Sequence, residues 1–230
     1  MYCVQTKKLI QIWLFILIFS TVSCNTKDEF IPLVFNDISE EFKKYTVFDT
    51  ASRWIYQNDL TLEKDTLSII WNSSETRYHL LPDGTDEYNY RAINQYFNIN
   101  GTGIQRTEIT AGSQNSTTQT LYENCRLYLS NNRYYTILAP RYPVNEIQLL
   151  GFQEGNYMNL PMIEQLTLNG IIYNNVFHTS VKDYQPAPDT LFLEFWFARE
   201  FGLVKMSTRN AQGNITWSLL ESDVLPSAEF

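Results

Sequence analysis

Few side chains in this sequence have the chemistry that catalysis or metal binding requires. The 230 residues include three cysteines and two histidines, and His79 and His178 are far apart, each in a strand-like run. A zinc site needs three or four grouped His, Cys or carboxylate ligands. The metalloprotease motif HExxH, the serine hydrolase motif GxSxG and the P-loop do not occur. The sequence therefore predicts no catalytic residue, no metal site and no cofactor.

Cys24 follows a segment that is typical of export signals. Lys7 and Lys8 precede an apolar run at residues 9 to 19, and small residues follow that run. The run has about 11 residues, whereas a helix needs about 20 to span a bilayer. We therefore expect residues 1–23 to be removed as a signal peptide. An uncleaved transmembrane anchor is the alternative.

The residues TVSC at positions 21–24 resemble the lipobox of bacterial lipoproteins, in which small residues precede a cysteine. The resemblance implies that the Cys24 thiol is lipidated, that the signal is cut before it, and that the new N-terminus is acylated. Thr21 departs from the usual Leu. Lipid chains would hold the domain at a membrane, since each buried methylene contributes about 0.8 kcal/mol. An ordinary signal peptide with a nearby cysteine is the alternative.

Three charged residues close to Cys24 bear on its destination. Lys27, Asp28 and Glu29 resemble the surface-export signal of Bacteroidota lipoproteins, a lysine followed by acidic residues. An ordinary polar tether would also have such residues. The predicted location is the outer membrane, with a lipid anchor, on either its periplasmic face or the cell surface.

The remaining cysteines agree with lipidation. Cys3 leaves with the signal, so lipidated Cys24 would leave Cys125 with no cysteine to pair with. Cys125 lies in a strand-like run with leucines at alternate positions. A nucleophilic cysteine needs a base and an electropositive setting, so we expect Cys125 to be a buried, unreactive thiol.

The rest of the chain consists of short strand-like runs separated by turns. A short helix is predicted within residues 36–45, where Asp37 and Glu40 have capping-box spacing. Turn signals then recur about every ten residues, and Asn169-Gly170 is the strongest hairpin signal. We predict an all-β fold with a minor helical part. It is an antiparallel meander that forms a barrel, half-barrel or sandwich, with a short N-terminal helix.

The predicted organisation is a signal peptide at 1–23, a tether at 24–35 and a single β-rich domain at 36–230. The stretches LTLNGIIYNNV, FLEFWFAREFGLVKM and ITWSLL resemble the C-terminal pattern of small Bacteroidota lipoproteins. The match covers about 60 residues. It implies a β-rich fold and no particular activity, because a fold alone does not define a function.

Several stretches place aromatic residues beside polar ones, namely RWIY, NYRAINQYF, NRYYTI and RYP. Exposed aromatic rings stack against sugar rings in carbohydrate-binding proteins. A β domain also buries such residues in its core. Both interpretations stay open at this point.

Three Asp-Thr pairs precede a small or aliphatic residue and place Thr50, Thr66 and Thr190 in equivalent positions. The pattern resembles the O-glycosylation site of exported Bacteroidota proteins. The alternative is an aspartate that ends a turn and a threonine that begins a strand.

These features predict a lipid-anchored, non-catalytic envelope protein with a binding or assembly role. The alternatives are a surface glycan-binding lipoprotein and a hydrolase that uses paired carboxylates. The expected partners are the membrane, through the N-terminal lipid, and a glycan or another envelope protein. The net charge of −8 and the absence of a Lys/Arg cluster argue against nucleic acid.

Overall fold

The computed structural model describes residues 34–80, 86–98, 103–114, 121–130, 133–140, 148–149, 156–183 and 191–227. They belong to one compact unit, Leu33–Phe230. Within these residues there are thirteen strands and helix α1 (Glu40–Thr46). The strands are β1 (Val34–Asn36), β2 (Arg53–Asn58), β3 (Lys64–Leu80), β4 (Asp86–Phe97), β5 (Ile104–Gln114), β6 (Leu121–Leu129), β7 (Tyr134–Leu138), β8 (Gln148–Leu149), β9 (Asn156–Leu168), β10 (Ile171–Asp183), β11 (Leu191–Ala198), β12 (Gly202–Asn210) and β13 (Gly213–Asp223).

All thirteen strands form one sheet. Its order is β7-β6-β5-β4-β3-β2-β13-β12-β11-β10-β9-β8, and β1 lies parallel to the start of β4. The other pairings along this order are antiparallel. The predicted fold class is confirmed, because the sheet is mostly antiparallel and nearly closed like a barrel, with one short helix.

Alternation along the strands builds the core. On β2, Trp54 and Tyr56 are buried while Arg53 is exposed, and on β11 the buried set includes Leu193 and Phe195. Successive strand residues point to opposite faces, so each strand contributes every second side chain to the interior. Full burial of one such apolar side chain contributes about 1.5–3 kcal/mol.

Side chains join the two ends of the sheet at a seam between β7 and strands β9 and β10. No backbone ladder joins these strands in the described part of the chain. Thr179 Oγ1 donates to the Ile137 carbonyl at 2.6 Å, and Asn159 Nδ2 donates to the Ala139 carbonyl at 2.8 Å. The Tyr157 hydroxyl accepts from Ala139 N–H at 2.8 Å. These bonds satisfy buried backbone groups of β7 and of Ala139, the residue after it, which would be costly to bury unpaired.

Helix α1 lies where the sequence predicts it, but its cap differs. The expected capping box of Asp37 and Glu40 is not formed, because Ser39 is the N-cap and its Oγ accepts from Phe42 N–H. Glu123 on β6 accepts from the amide of Ser39 and from its hydroxyl. This carboxylate ties the start of the helix to the sheet, which sequence spacing could not show.

The chain enters the sheet earlier than expected. Val34 and Phe35, placed in the predicted tether, pair with Tyr88 and Asn89 at the start of β4. The predicted hairpin at Asn169-Gly170 is confirmed. Both residues have positive φ angles, +49° and +82°, as a type I′ turn requires.

Candidate binding site on the outer face of the sheet

One row of side chains crosses five strands on the outer face, opposite the core. Trp71 on β3 lies opposite Tyr96 on β4, which lies opposite Arg106 on β5. Arg106 lies opposite Tyr128 on β6, which lies opposite Tyr134 on β7. We call these five residues the aromatic–arginine row. Directly opposite residues of antiparallel strands are in contact range, so the strand register alone aligns the row.

The members of the row contact one another. The ring centroids of Trp71 and Tyr96 are 4.8 Å apart, and those of Tyr128 and Tyr134 are 5.2 Å apart. The Arg106 Cζ atom lies 3.9 Å from the Tyr128 centroid and 5.9 Å from the Tyr96 centroid. Aromatic pairs of this kind contribute about 0.5–1.5 kcal/mol each, and an exposed cation–π contact about 0.5–1 kcal/mol.

Trp71 is the open end of the row. It is 55% exposed, and Ile70 beside it is 63% exposed. β2 pairs with β3 only as far as Ser68, and a bulge between Ile69 and Trp71 shifts the register on β4. The indole therefore has Tyr96 on one side and no strand of the described sheet on the other. It is the ring in this row best placed to stack on a ligand.

A buried carboxylate organises three arginines beside the row. Glu108 is only 2% exposed, and its Oε2 accepts from Arg77 Nη2 at 2.9 Å. Arg126 Nη1 lies 3.6 Å from Oε1, and Arg106 Nη1 lies 3.9 Å from Oε2. The Tyr128 hydroxyl donates to Oε1 at 3.4 Å. A buried charge is tolerated only when it is paired in this way.

Arg77 links Glu108 to a second, exposed carboxylate. Arg77 also donates to the exposed Glu75 through Nε at 2.8 Å. Partial burial opposes the charged form of Arg77, but the hydrogen bonds and charges of Glu108 and Glu75 raise its pKa above the usual value. Three guanidinium groups thus converge on Glu108, on a chain whose net charge is −8. One of them, Arg106, is also a member of the row.

A second cation–aromatic arrangement occupies the outer face of β10–β12. His178 stacks on Trp196 with centroids 4.4 Å apart, and Lys205 Nζ lies 5.0 Å from the Trp196 ring. Burial lowers the pKa of His178, Glu194 at 3.6 Å raises it, and Lys205 lowers it, so that the net direction is downward. Trp196 itself is buried under these neighbours. It is therefore less open to a ligand than Trp71.

The interior cavity does not resemble a ligand site. It leaves about 40 Å³ for the centres of water-sized molecules. This is room for a few waters and not for a sugar. Cys125 lines it, and burial, with a contribution from the Glu108 charge, raises the pKa of the thiol far above its ordinary value. The prediction that Cys125 is buried is confirmed, and this environment disfavours the reactive thiolate.

Most predicted site residues lie outside the described residues. These are Cys24, Lys27, Asp28, Glu29 and Thr190. Of the two that are described, Thr50 is exposed in a turn, and Thr66 is half-buried within β3, opposite Ile55. The structure therefore does not bring the three Asp-Thr sites into one environment.

The aromatic stretches divide between core and surface. Trp54 and Tyr56 of RWIY are buried, and so is Tyr135 of NRYYTI. Tyr96 of NYRAINQYF and Tyr134 of NRYYTI belong to the row. The stretch RYP lies outside the described residues. Trp71 and Tyr128, two further members of the row, were not singled out as binding residues from the sequence. Alternation would place Trp71 on the same face as the buried Leu67 and Ile69, but the register shift between Ile69 and Trp71 interrupts that alternation.

The described carboxylates around Arg77 do not have the arrangement of a hydrolase pair. Glu75 and Glu108 approach the same side chain, Arg77, and each is its ion-pair partner. A glycosidase pair instead faces a substrate, with one carboxyl group holding a proton to donate. Within the described ranges, no three His, Cys, Asp or Glu side chains group closely enough to hold a metal ion. No described helix is both long and apolar enough to cross a bilayer.

No protein-family model matches the sequence, and no curated protein matches it either. Among solved structures, the chain is similar to a "putative lipoprotein from Parabacteroides distasonis ATCC 8503", with a TM-score of 0.33 and 9% sequence identity. The match covers 76% of this chain and 96% of that chain. A TM-score this low establishes neither a shared fold nor a shared function.

Proposed function

We propose that the protein is a lipid-anchored, non-catalytic component of the bacterial outer membrane whose β domain binds a ligand on its outer face. The proposal of a lipid anchor is supported by the position of Cys24, which directly follows the apolar signal. Cys24 lies ten positions before Val34, the first residue of β1. Extended residues span at most about 3.3–3.6 Å each. The intervening residues would thus reach about 30 Å, a tether long enough to hold the sheet close to a membrane.

Replacement of the anchor cysteine tests this proposal. Cys24→Ala, or treatment with globomycin, should leave the precursor uncleaved. The lipidated mature form should then be missing from membrane fractions. Cys125→Ala is the matched control, because that thiol is buried in the sheet and should not affect processing. Normal cleavage and membrane retention of Cys24→Ala would exclude lipidation at this residue.

The residues after Cys24 bear on which face of the outer membrane the protein occupies. We expect Lys27, Asp28 and Glu29 to promote surface display, in line with the pattern they resemble. Protease treatment of intact cells should then degrade the native protein, whereas a variant with alanine at all three positions should be protected. Equal sensitivity of the two proteins would assign these residues to an ordinary tether.

Glycan binding is the second candidate function, and the aromatic–arginine row favours it. The exposed Trp71 indole offers a flat apolar surface for the C–H face of a sugar ring. Arg106 of the row, together with Arg77 and Arg126, gathers around the buried Glu108. Guanidinium groups pair with carboxylates or sulfates through charge-assisted hydrogen bonds. The site therefore fits a saccharide that carries acidic groups better than a neutral one.

Binding measurements with acidic and neutral polysaccharides test the second candidate. Trp71→Ala should weaken binding of the acidic polysaccharide about two- to tenfold, because one aromatic stacking contact is worth about 0.5–1.5 kcal/mol. Ile215→Ala is a suitable control, since Ile215 is also exposed but lies on β13, outside the row. Equal binding by Trp71→Ala and Ile215→Ala, or no binding of any acidic polysaccharide, would exclude this function of the row.

O-glycosylation is a further part of the proposal, and Thr50 is the best placed of its three sites. Its side chain is exposed in a turn, beside Asp49, whose Oδ1 accepts from Thr50 N–H at 2.7 Å. When both proteins are isolated from their own host, the Thr50→Ala variant should be lighter than the unmodified protein by the mass of one glycan. Ser74→Ala serves as the control, because Ser74 is an exposed hydroxyl outside any Asp-Thr pair. An unchanged mass of attached glycan in Thr50→Ala would exclude Thr50 as an acceptor.

A further inference from the structure

The long strand β3 has an edge that no other described strand covers beyond Ser68. β2 pairs with β3 from Lys64 to Ser68, whereas β4 pairs with its other side from Ile69 to Leu80. Beyond Ser68, no strand in the described part of the chain lies along the β2 side of β3. A strand edge of this kind presents a row of backbone N–H and C=O groups that can pair with another strand.

The other long edges of the described sheet are protected. Side-chain bonds from β9 and β10 cover the edge of β7 at the seam. β9 carries Pro161, which has no N–H to offer, and its register on β10 shifts between Val176 and His178. Proline and bulges are common devices that prevent edge-to-edge pairing. Their presence on β9 makes their absence from β3 informative.

Between the register shifts at Ile69–Trp71 and at His79–Leu80, the β3 edge has neither a proline nor a bulge. The segment WNSSETRYHL contains no proline, glycine or lysine. Ser74, Glu75, Thr76 and Tyr78 are exposed, and Arg77 is partly exposed. Hydroxyl-bearing and aromatic residues of this kind favour a strand. The edge is therefore well suited to pairing with another strand.

We propose that this edge pairs with the same edge of a second copy of the chain, antiparallel, with a two-fold axis at Thr76. A two-fold interface requires that the surface be complementary to itself. With the axis at Thr76, Glu75 of each copy lies directly opposite Arg77 of the other. Ser74 of each copy lies opposite Tyr78 of the other.

Charge selects this register over its neighbours. If the outer faces of both copies lie on the same side of the joined sheet, the two-fold axis must pass between two identical residues that lie directly opposite each other. An axis at Glu75 would oppose two carboxylates, and an axis at Arg77 would oppose two guanidinium groups. Like charges directly opposite each other destabilise a sheet, whereas opposite charges stabilise it. Only the axis at Thr76 gives two Glu–Arg pairs, which extend the ion pair that Glu75 and Arg77 form within each chain.

Cross-linking across the proposed axis tests the pairing in the native membrane. In Thr76→Cys the two introduced thiols face each other, at the Cβ separation of about 4.5–5.5 Å that directly opposite residues have. A short bismaleimide should then give a covalent dimer of the full-length chain. Ile215→Cys is the control, because it places an equally exposed thiol away from the edge. The unmodified chain accounts for any reaction of its own cysteines.

A charge variant tests the register itself. Glu75→Arg places arginine opposite Arg77 of the other copy, so light scattering of the full-length protein in detergent should show a dissociation constant raised at least tenfold. Glu75→Gln should show a smaller increase. The circular dichroism spectrum of each variant checks its fold. A monomer for the unmodified chain at all concentrations, or equal cross-linking of Thr76→Cys and Ile215→Cys, would overturn the proposal.

Discussion

The hydroxyl of Tyr157 accepts the amide hydrogen of Ala139 at 2.8 Å and so joins β9 to β7 across the seam of the sheet. The same hydroxyl donates to Asn159, whose Nδ2 donates to the Ala139 carbonyl at 2.8 Å. Tyr157 is only 1% exposed. Two side chains thus satisfy both polar groups of one buried residue. These side-chain hydrogen bonds occupy the position where a fully closed barrel would have backbone hydrogen bonds between neighbouring strands.

Removal of the Tyr157 hydroxyl should weaken the seam. Tyr157→Phe leaves the buried Ala139 N–H without its acceptor and removes one hydrogen bond to Asn159, at a cost of about 1–3 kcal/mol in the free energy of unfolding. Urea titration measures the loss. Tyr78→Phe is the control and should stay within about 0.5 kcal/mol, since Tyr78 is exposed. Equal stability of the two variants would mean that these bonds do not hold the seam.

Loss of the Glu108 charge should be far more costly than loss of an exposed neighbour. Glu108→Gln leaves Arg77, Arg106 and Arg126 without their shared buried carboxylate, and breaking such a group costs about 3–5 kcal/mol. Glu75→Gln should cost only about 0–1 kcal/mol, because its ion pair with Arg77 is exposed. Thermal unfolding compares the variants. Similar losses would contradict a central role for Glu108.

A pair of glycine variants separates backbone strain from steric clash. Gly202 and Gly170 have positive φ angles of +75° and +82°, so alanine is strained at both by about 1–2 kcal/mol. A Cβ at Gly202 would also lie 2.8 Å from Phe48 Cε2, whereas at Gly170 it would meet nothing within 4 Å. Gly202→Ala should therefore lose about 1–3 kcal/mol more than Gly170→Ala, as measured by urea titration. Equal losses would show that Phe48 moves aside freely.

Because of Cys125, the free energy of unfolding should depend on pH in the alkaline range. Burial raises the pKa of its thiol in the folded protein, whereas the thiol ionises near pH 8.5 in the unfolded chain. The unfolded state therefore loses this proton first, and the free energy of unfolding falls as pH rises above about 8.5. The slope approaches about 1.4 kcal/mol per pH unit.

Urea titrations at pH 7, 8, 9 and 10 measure this slope. Cys125→Ala should remove most of it below pH 10, where tyrosines begin to ionise in the unfolded chain. The comparison uses the change with pH within each protein, so any packing defect from the substitution cancels. The same slope with and without Cys125 would show that another group is responsible.

The local elements were accessible from the sequence because their causes are local. The Asn169-Gly170 turn follows from the positive φ angles that these residues tolerate, and Phe42 lies in a helix close to the predicted bounds. The segment 86–97 is ambiguous by sequence, because the spacing of Ile93 and Phe97 suits a helix turn whereas its aromatic residues favour a strand. It forms β4, since β3 and β5 offer backbone partners on both sides.

The candidate site was only partly accessible, for a reason that Tyr134 and Tyr135 illustrate. The two residues have the same chemistry, yet Tyr135 is buried and Tyr134 stacks on Tyr128 outside. Alternation predicts that neighbouring side chains point to opposite faces, but the side that faces the core depends on the rest of the sheet. The row also needs registers across five strands, which lie far apart in sequence.

The antiparallel β-rich class, the confirmed hairpin, the burial of Cys125 and the predicted lipid anchor at Cys24 could all be inferred from the amino-acid sequence. Each of these depends on residue type and on spacing over a few positions. The side-chain seam, the aromatic–arginine row, the burial of Glu108 and the β3 edge without a described partner strand could not be inferred in this way. These depend on which distant strands pair and in what register. Burial over the whole domain selects that arrangement, and no local pattern encodes it.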